Sequence, residues 1–321
     1  MSEAGIELPK EFSLIARYFA PLAGPGTDGL RDDVALLTPP PGRELVLKAD
    51  GMVEGVHFLP DDPPDLVARK LLRVNLSDLA GKGAVPLGYL ITISVPRDTP
   101  DAWFSAFAAG LAHDQQEFSL FLLGGDTSSA PGPKNLSLTV IGHAAPGETP
   151  RRSGARAGDS IWVTGTIGDG ALGLAVAQGK LFDPSGFLLD RYRLPRPRLG
   201  FALGRIVSAS MDVSDGLVQD LGHICRASGV AAEVDVALVP LSEPARLAGP
   251  AWLSAILTGG DDYEVLMAVP PEREGALHAA AQAAGVAVSR IGRFAAGAPA
   301  VRLTGADGRP MQVASGGWSH F

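Results

Sequence analysis

The sequence is poor in cysteine: Cys225 is the only one in 321 residues. That excludes an intramolecular disulfide and a cysteine-based zinc cluster, and a reducing cytosol is the expected compartment. Cys225 shares an apolar helical face with Leu217, Leu221 and Ile224, which predicts core packing rather than chemistry. Long apolar runs are also missing, and nothing approaches the ~20 residues of a membrane-spanning helix. The opening MSEAGIELPKEF has neither a basic nor an apolar stretch, so no secretory leader is expected. Positive charge is in deficit: Lys and Arg number 27 against 35 Asp and Glu, a net charge of −8. A nucleic-acid partner, which needs a basic face, is not expected. A phosphate ligand stays open, because carboxylates hold phosphates through metal ions. The common catalytic signatures are absent as well: no G-x-x-x-x-G-K-[ST] phosphate loop, no G-x-S-x-G and no H-E-x-x-H. GPGTDG (24–29) matches G-x-G-x-x-G, but it follows a helix-like segment instead of a strand and reads as a loop.

What is present is material for a large core, with 46% hydrophobic residues, and for turns, with 40 glycines and 26 prolines. Length predicts two domains. In the first half, helices are expected over 11–19, 65–81 and 100–116, and strands over 44–50, 89–96, 119–126 and 135–144. In the second half, helices are expected over 168–179, 196–209, 214–228 and 272–285. Strands are expected there over 160–165, 232–237, 262–270 and 288–294, with a hairpin around Asp307-Gly308. The polar PGETPRRSGARAGD stretch marks a boundary, giving domains 1–147 and 148–321. Strands and helices mix without strict βαβ order, so the expected class is α+β.

The chemistry lies in aspartates at turns. They occur at Arg31-Asp32-Asp33, Lys48-Ala49-Asp50, Ser77-Asp78, Gly124-Gly125-Asp126-Thr127, Asp212-Val213-Ser214-Asp215-Gly216 and Gly259-Gly260-Asp261-Asp262. Singly these are ordinary turn residues, and Ser214 or Asp215 would serve as a helix cap. Together they suggest carboxylates brought to one edge, with Asp50 and Asp126 read as closing their strands. Such a group needs a hard cation between its members, and magnesium bound by carboxylates and substrate phosphates fits. Glycine-rich Thr164–Gly170 is a candidate phosphate nest, and Arg152 a phosphate fork. The residues alone point to magnesium-dependent phosphoryl transfer without a Walker loop.

EFSLIARYF, DDVALL, VEGVHFLP, VNLSDLA, GGDT, RSGARAGDSIWVTGTIGD, MDVSDGLVQDLGHI, GGDDYEVL and the terminal GWSHF occur in order from residue 11 to 321. Together they resemble the thiamine-monophosphate kinases of the aminoimidazole-ribotide synthetase-like ATP enzymes. The resemblance implies transfer of the γ-phosphoryl of ATP to thiamine monophosphate by in-line attack. It implies a homodimer whose N-terminal domains join their sheets, beside C-terminal α/β domains that complete the nucleotide and substrate site. Position by position it implies metal ligands at Asp33, Asp50, Asp78, Asp126, Asp212 and Asp215, with Asp50, Asp126 and Asp215 central to catalysis. Gly125, Arg152 and Ser214 would contact the nucleotide, and His57, Asp261 and Trp318 the thiamine substrate.

The chain departs from the family pattern at several of these places. Arg31 stands where the family has Gly, Lys48-Ala49 where it has hydroxyl residues that help hold magnesium, and Asp261 where it has Glu. Selenophosphate synthetase requires an N-terminal reactive Cys or selenocysteine, and the hydrogenase-maturation dehydratase a C-terminal Cys; this chain has neither. A nucleotide-binding relative with reduced catalysis is the alternative that Lys48 and Ala49 argue for.

Overall fold

The computed structural model describes residues 10–313 and 316–318. The chain divides into two compact units, Met1–Asn75 with Pro86–His143 and Leu76–Val85 with Ala144–Phe321. Among the described residues, no helix is long and apolar enough to cross a membrane.

In the first unit, α1 (Lys10–Leu14) runs into a π-helical turn, and β1 (Glu44–Val53), α2 (Pro64–Ala80), β2 (Val85–Val95), α3 (Asp101–Phe118), β3 (Phe121–Ser129) and β4 (Asn135–Ala144) follow. The strands form one sheet in the order β1-β4-β2-β3, with β2 and β3 parallel. Helix α2 belongs to this unit as far as Asn75 and buries Val67, Leu71 and Val74 at helical spacing; α3 does the same with Phe104, Phe107, Ala108 and Leu111. Each such large apolar side chain contributes roughly 1.5–3 kcal/mol by leaving water. The two helices lie close because Gly110 has no side chain: a Cβ there would sit 2.2 Å from the Asp65 carbonyl. Buried Asp114 on α3 ties them further by accepting from Arg69 at 2.8 Å and Arg73 at 2.6 Å. GPGTDG is a loop, as expected, as far as Thr27, and its last two residues enter a short 3-10 turn, Asp28–Leu30. Its glycines serve packing, since a Cβ on Gly24 would enter the Phe121 ring and one on Gly26 would meet the Leu36 carbonyl.

The second unit contains β5 (Ser160–Thr164), α4 (Asp169–Ala177), α5 (Phe187–Arg193), β6 (Ala209–Asp212), α6 (Leu217–Ser228), β7 (Ala231–Asp235), α7 (Glu243–Ala248), α8 (Leu253–Thr258), β8 (Val265–Val269), α9 (Glu274–Ala284), β9 (Val288–Ala295), β10 (Ala300–Thr304) and β11 (Pro310–Met311). Its sheet has the order β11-β10-β7-β9-β5-β8-β6 and is mixed, with β7 and β10 parallel and β5 antiparallel to both neighbours. Period-two alternation distributes the strand side chains between two cores. Ile161, Val163, Leu266 and Ala268 join one with α6 residues Leu217, Leu221, Ile224 and Cys225. Trp162, Val265, Met267 and Val269 join the other with Leu277 and Ala281 of α9. Cys225 is fully buried in the core, where burial pushes its thiol up to about 11.

The helix expected over 196–209 does not form. Pro197, Gly200 (φ +73°) and Gly204 interrupt it, Phe201 and Leu203 are buried on either side of exposed Ala202, and the segment ends in β6. Short helices α5, α7 and α8 were not anticipated; each has seven residues or fewer, too short for a periodic signal to stand out. The hairpin around Asp307-Gly308 is present as the antiparallel β10–β11 pair.

Candidate active site

In the first unit, the alternation of β1 places Lys48, Asp50 and Met52 on the more buried side of the strand. The Asp50 amide donates to Asn75 Oδ1 on α2 at 3.0 Å, so its backbone is anchored while its carboxylate stays accessible. Lys48 Nζ lies 3.1 Å from Asp50 Oδ2, with the two side chains 31% and 46% exposed. Beyond β1 the chain turns tightly. The His57 amide donates to the Val53 carbonyl at 2.9 Å, and the Val53 amide donates to His57 Nδ1 at 2.9 Å. That second bond makes Nδ1 the acceptor and leaves the ring proton on Nε2. The turn is braced by Lys70 Nζ on the His57 carbonyl and by a Glu54–Lys134 pair.

A cavity of about 420 Å³ in the same unit has a polar edge formed by Asp32, Asp33, Gly125, Asp126 and Thr127 and an apolar floor that includes Phe19 and Leu122. Asp126 lies inside β3, paired in register with Thr92, and Asp50 lies inside β1. Neither closes its strand, as the sequence suggested; both strands run on for three residues because nothing in DGMV or DTSS forbids extended backbone.

In the second unit, Asp212 ends β6, is 4% exposed and accepts from Ser77 Oγ at 2.7 Å. Asp78, half-buried, follows Ser77 in the last turn of α2. Lys82 Nζ donates to the Ser210 carbonyl at 2.6 Å. Burial lowers the Lys82 ammonium to about 8, against the pull of Asp212 and Asp78. After β6 two loops interlace through the backbone: Val213 N to Glu264 O and Tyr263 N to Val213 O, both 2.8 Å, and Asp261 N to Ser214 O at 3.0 Å. Asp261 and Tyr263 both adopt positive φ, +70° and +53°, an uncommon backbone that the interlacing sustains. Tyr263 Oη donates to Asp261 Oδ1 at 3.1 Å.

Ser214 and Asp215 do not cap α6. Their amides instead both donate to Asp220 Oδ2 in its first turn, each at 3.0 Å. Asp220 is 1% exposed; burial pushes its carboxyl up to about 7, the Asp215 charge adding to the rise and the two amides opposing it. Arg152 is exposed and close enough to act electrostatically on Asp220, His223 and Lys82. Trp318 is 52% exposed, and its amide donates to the Asp215 carbonyl at 3.0 Å. Ser319-His320-Phe321, part of the terminal motif, lies outside the described residues.

The candidate nest at Thr164–Gly170 is filled from within. Gly168 and Gly170 donate to the two oxygens of Asp262 at 2.7 and 3.1 Å, and Asp262 is fully buried. These amides hold a protein carboxylate and are not offered to a phosphate.

Magnesium fits the donor set. The six expected ligands are all carboxylates, with neither thiolate nor imidazole among them, and oxygen donors suit a hard divalent cation. Another acidic group, Asp114 and Glu117 beside His113, is already neutralised by Arg69 and Arg73.

Comparison with known proteins decides the family. The N-terminal and C-terminal domain models of AIR synthase related proteins match residues 31–144 and 156–303. A curated thiamine-monophosphate kinase of Caulobacter vibrioides is 44% identical over 97% of this chain and 91% of its own. The chain belongs to the thiamine-monophosphate kinase family. A crystal structure of the Stenotrophomonas maltophilia K279a kinase superposes with a TM-score of 0.79 at 37% identity, covering 88% of this chain and 91% of that one. AaThiL complexed with AMPPCP and TMP superposes with a TM-score of 0.76 at 29% identity, covering 97% and 94%. As a member of the thiamine-monophosphate kinase family the chain is an enzyme, with the two-domain α+β fold expected of it. Sequence reading passed over four residues that this kinase fold brings to the expected site residues: Lys82, Gln219, Asp220 and Tyr263. Asp220 alone had a local signal, an acid in the first turn of a helix beside an Asp-rich turn.

Proposed function

We propose that this kinase transfers the γ-phosphoryl group of ATP to thiamine monophosphate, giving thiamine diphosphate and ADP. The observation that supports the reading is the set of carboxylates at the positions that the family resemblance reads as metal ligands, with Asp33 and Asp126 exposed, Asp50, Asp78 and Asp215 half-buried and Asp212 buried. Asp33 and Asp126 edge one cavity, and Asp215 lies on the turn held by Asp220. The relative holding both AMPPCP and TMP supports the pairing of nucleotide and acceptor.

The acceptor is a phosphate with a second pKa near ~6, so at neutral pH it is mostly dianionic and needs no general base. One of its oxygens forms the new bond to the γ-phosphorus as the bond from that phosphorus to the β–γ bridging oxygen breaks, and ADP leaves with that oxygen. The chain's task is to hold two polyanions in line and screen them from each other. Asp33, Asp50, Asp78, Asp126, Asp212 and Asp215 would hold magnesium, which when bound neutralises phosphate charge. Gly125, Arg152 and Ser214 serve the nucleotide, Arg152 as an exposed fork. His57 offers an Nε2 proton and Asp261 a carboxylate to the substrate, and the Trp318 face suits a cationic thiazolium ring. The single buried cysteine accords with a cytoplasmic enzyme.

Incubation with ATP, magnesium and thiamine monophosphate, followed by chromatography, should yield thiamine diphosphate. ATP binding without that product would sink the reading and leave a nucleotide-binding relative. Lys48 competes with metal for Asp50. Lys48→Thr should therefore tighten magnesium binding about 2- to 5-fold by calorimetry, the range for a partly exposed ion pair. An unchanged isotherm would mean the lysine does not compete.

We further place the enzyme as a homodimer through its four-stranded sheets. Leu45 (43% exposed), Leu47 (63%) and Leu90 (40%) leave apolar surface open on β1 and β2 of the single chain. Sedimentation should give twice the chain mass, and Leu47→Asp should reduce it to one.

A further inference from the structure

The C-terminal segment of the described chain is fastened to the turn that carries Asp215. The Trp318 amide donates to the Asp215 carbonyl at 3.0 Å, and Gln219 Nε2 donates to the Trp318 carbonyl. Both backbone polar groups of Trp318 are thus taken by two residues only four apart in sequence. Gly317 makes the approach possible. A Cβ there would sit 2.5 Å from the Asp215 carbonyl and 2.5 Å from Gln219 Cβ, too close for any larger residue. Asp215 is itself held from below by Asp220, which accepts its amide and that of Ser214. The first turn of α6 therefore grips both the Asp215 turn and the tryptophan backbone. The two backbone bonds fix where the 52% exposed Trp318 indole leaves the chain.

We infer that Gln219 is a positioning residue for the acceptor: it clips the Trp318 backbone to α6 and so sets the indole relative to the Asp215 carboxylate. The inference rests on the reading that Trp318 meets the thiamine moiety. Acceptor recognition is then referenced to the same turn that carries a metal ligand, and the distance between the two is a property of α6. Nucleotide binding gains nothing from the clip.

The test separates acceptor from nucleotide. Gln219→Glu is close to isosteric but turns a donor into an acceptor facing a carbonyl. It should raise KM for thiamine monophosphate about 10-fold, with kcat and KM for ATP changed less than about 2-fold. Gly317→Ala, which pushes the segment off Asp215 by a different route, should give the same split. In both variants acrylamide quenching of Trp318, taken as the difference from the same variant carrying Trp318→Phe, should increase. Equal loss in kcat and in both KM values, or unchanged quenching, would overturn the clip. Trp318→Phe with an unchanged acceptor KM would overturn the substrate reading beneath it. Trp318→Phe with a raised acceptor KM, alongside an unaffected Gln219→Glu, would overturn the clip alone.

Discussion

Asp50→Asn is expected to lower kcat by about 1,000-fold, roughly 4 kcal/mol of transition-state stabilisation, while the melting temperature moves by no more than about 3 °C. The two halves of the expectation have different physical origins. The carboxylate is accessible, and its ion-pair partner among the described contacts is Lys48 at 3.1 Å, itself partly exposed. A pair of that kind adds at most about 1 kcal/mol to stability. The contact that anchors this part of β1, the Asp50 amide on Asn75, survives the substitution. Catalysis loses more, because an amide oxygen carries no charge with which to hold a cation between two phosphates. Turnover and thermal unfolding measured on the same preparation check both halves. A variant keeping more than about a tenth of wild-type kcat would show that Asp50 is neutralised by Lys48 and holds no metal.

Glu264→Ala should do the reverse, lowering stability by about 3–5 kcal/mol before any effect on chemistry is considered. Glu264 is completely buried. It accepts from Thr164 at 2.6 Å, from Arg198 at 2.6 and 2.5 Å and from Arg191 at 3.0 Å. Arg191 is 2% exposed, so removing the carboxylate strands a guanidinium with little water to turn to. Nearby Asp169 and Asp262 do not replace it. Asp169 Oδ2 stands 3.9 Å from Arg191 Nε, beyond hydrogen-bond reach, and burial raises the carboxyl pKa of both, that of Asp262 well above the usual range. Urea unfolding measures the loss. The double variant Glu264→Leu with Arg191→Leu should recover part of it, since a buried pair exchanged for apolar side chains is often close to neutral. A single variant losing less than about 1 kcal/mol would show that Arg191 finds another partner. Function should follow stability here, because Glu264 anchors the loop that holds Asp261 in its left-handed backbone.

The aspartate turns were legible because Asp and Gly mark places where backbone departs from helix and strand, and their repetition along one chain is chemically unusual. Where local reading failed, long-range contacts made the difference. Thr164–Gly170 reads as a phosphate nest until Asp262, more than ninety residues later, is seen filling it. Residues 196–209 have helical apolar spacing, but Arg198 turns inward to Glu264 and the segment runs through turns at 199–200 and 204–206 instead of a helix. Gln219 looks like an ordinary polar position in a helix, and Asp220 shows no more than an acid in a first turn; only the fold brings Trp318 and the Ser214-Asp215 amides to them.

The sequence by itself determined the chemical class, the two-domain α+β organisation and the carboxylates at stake, because residue type limits what a group can bind and apolar periodicity limits how a segment folds. The tertiary structure alone decided which carboxylates border open space and which serve the protein. Asp33 and Asp126 edge a cavity, Asp262 and Glu264 are consumed by internal amides and arginines, and Asp50 carries a lysine. An aspartate's charge is written in its side chain, but its availability depends on neighbours far away in sequence, as Ser77 is from Asp212.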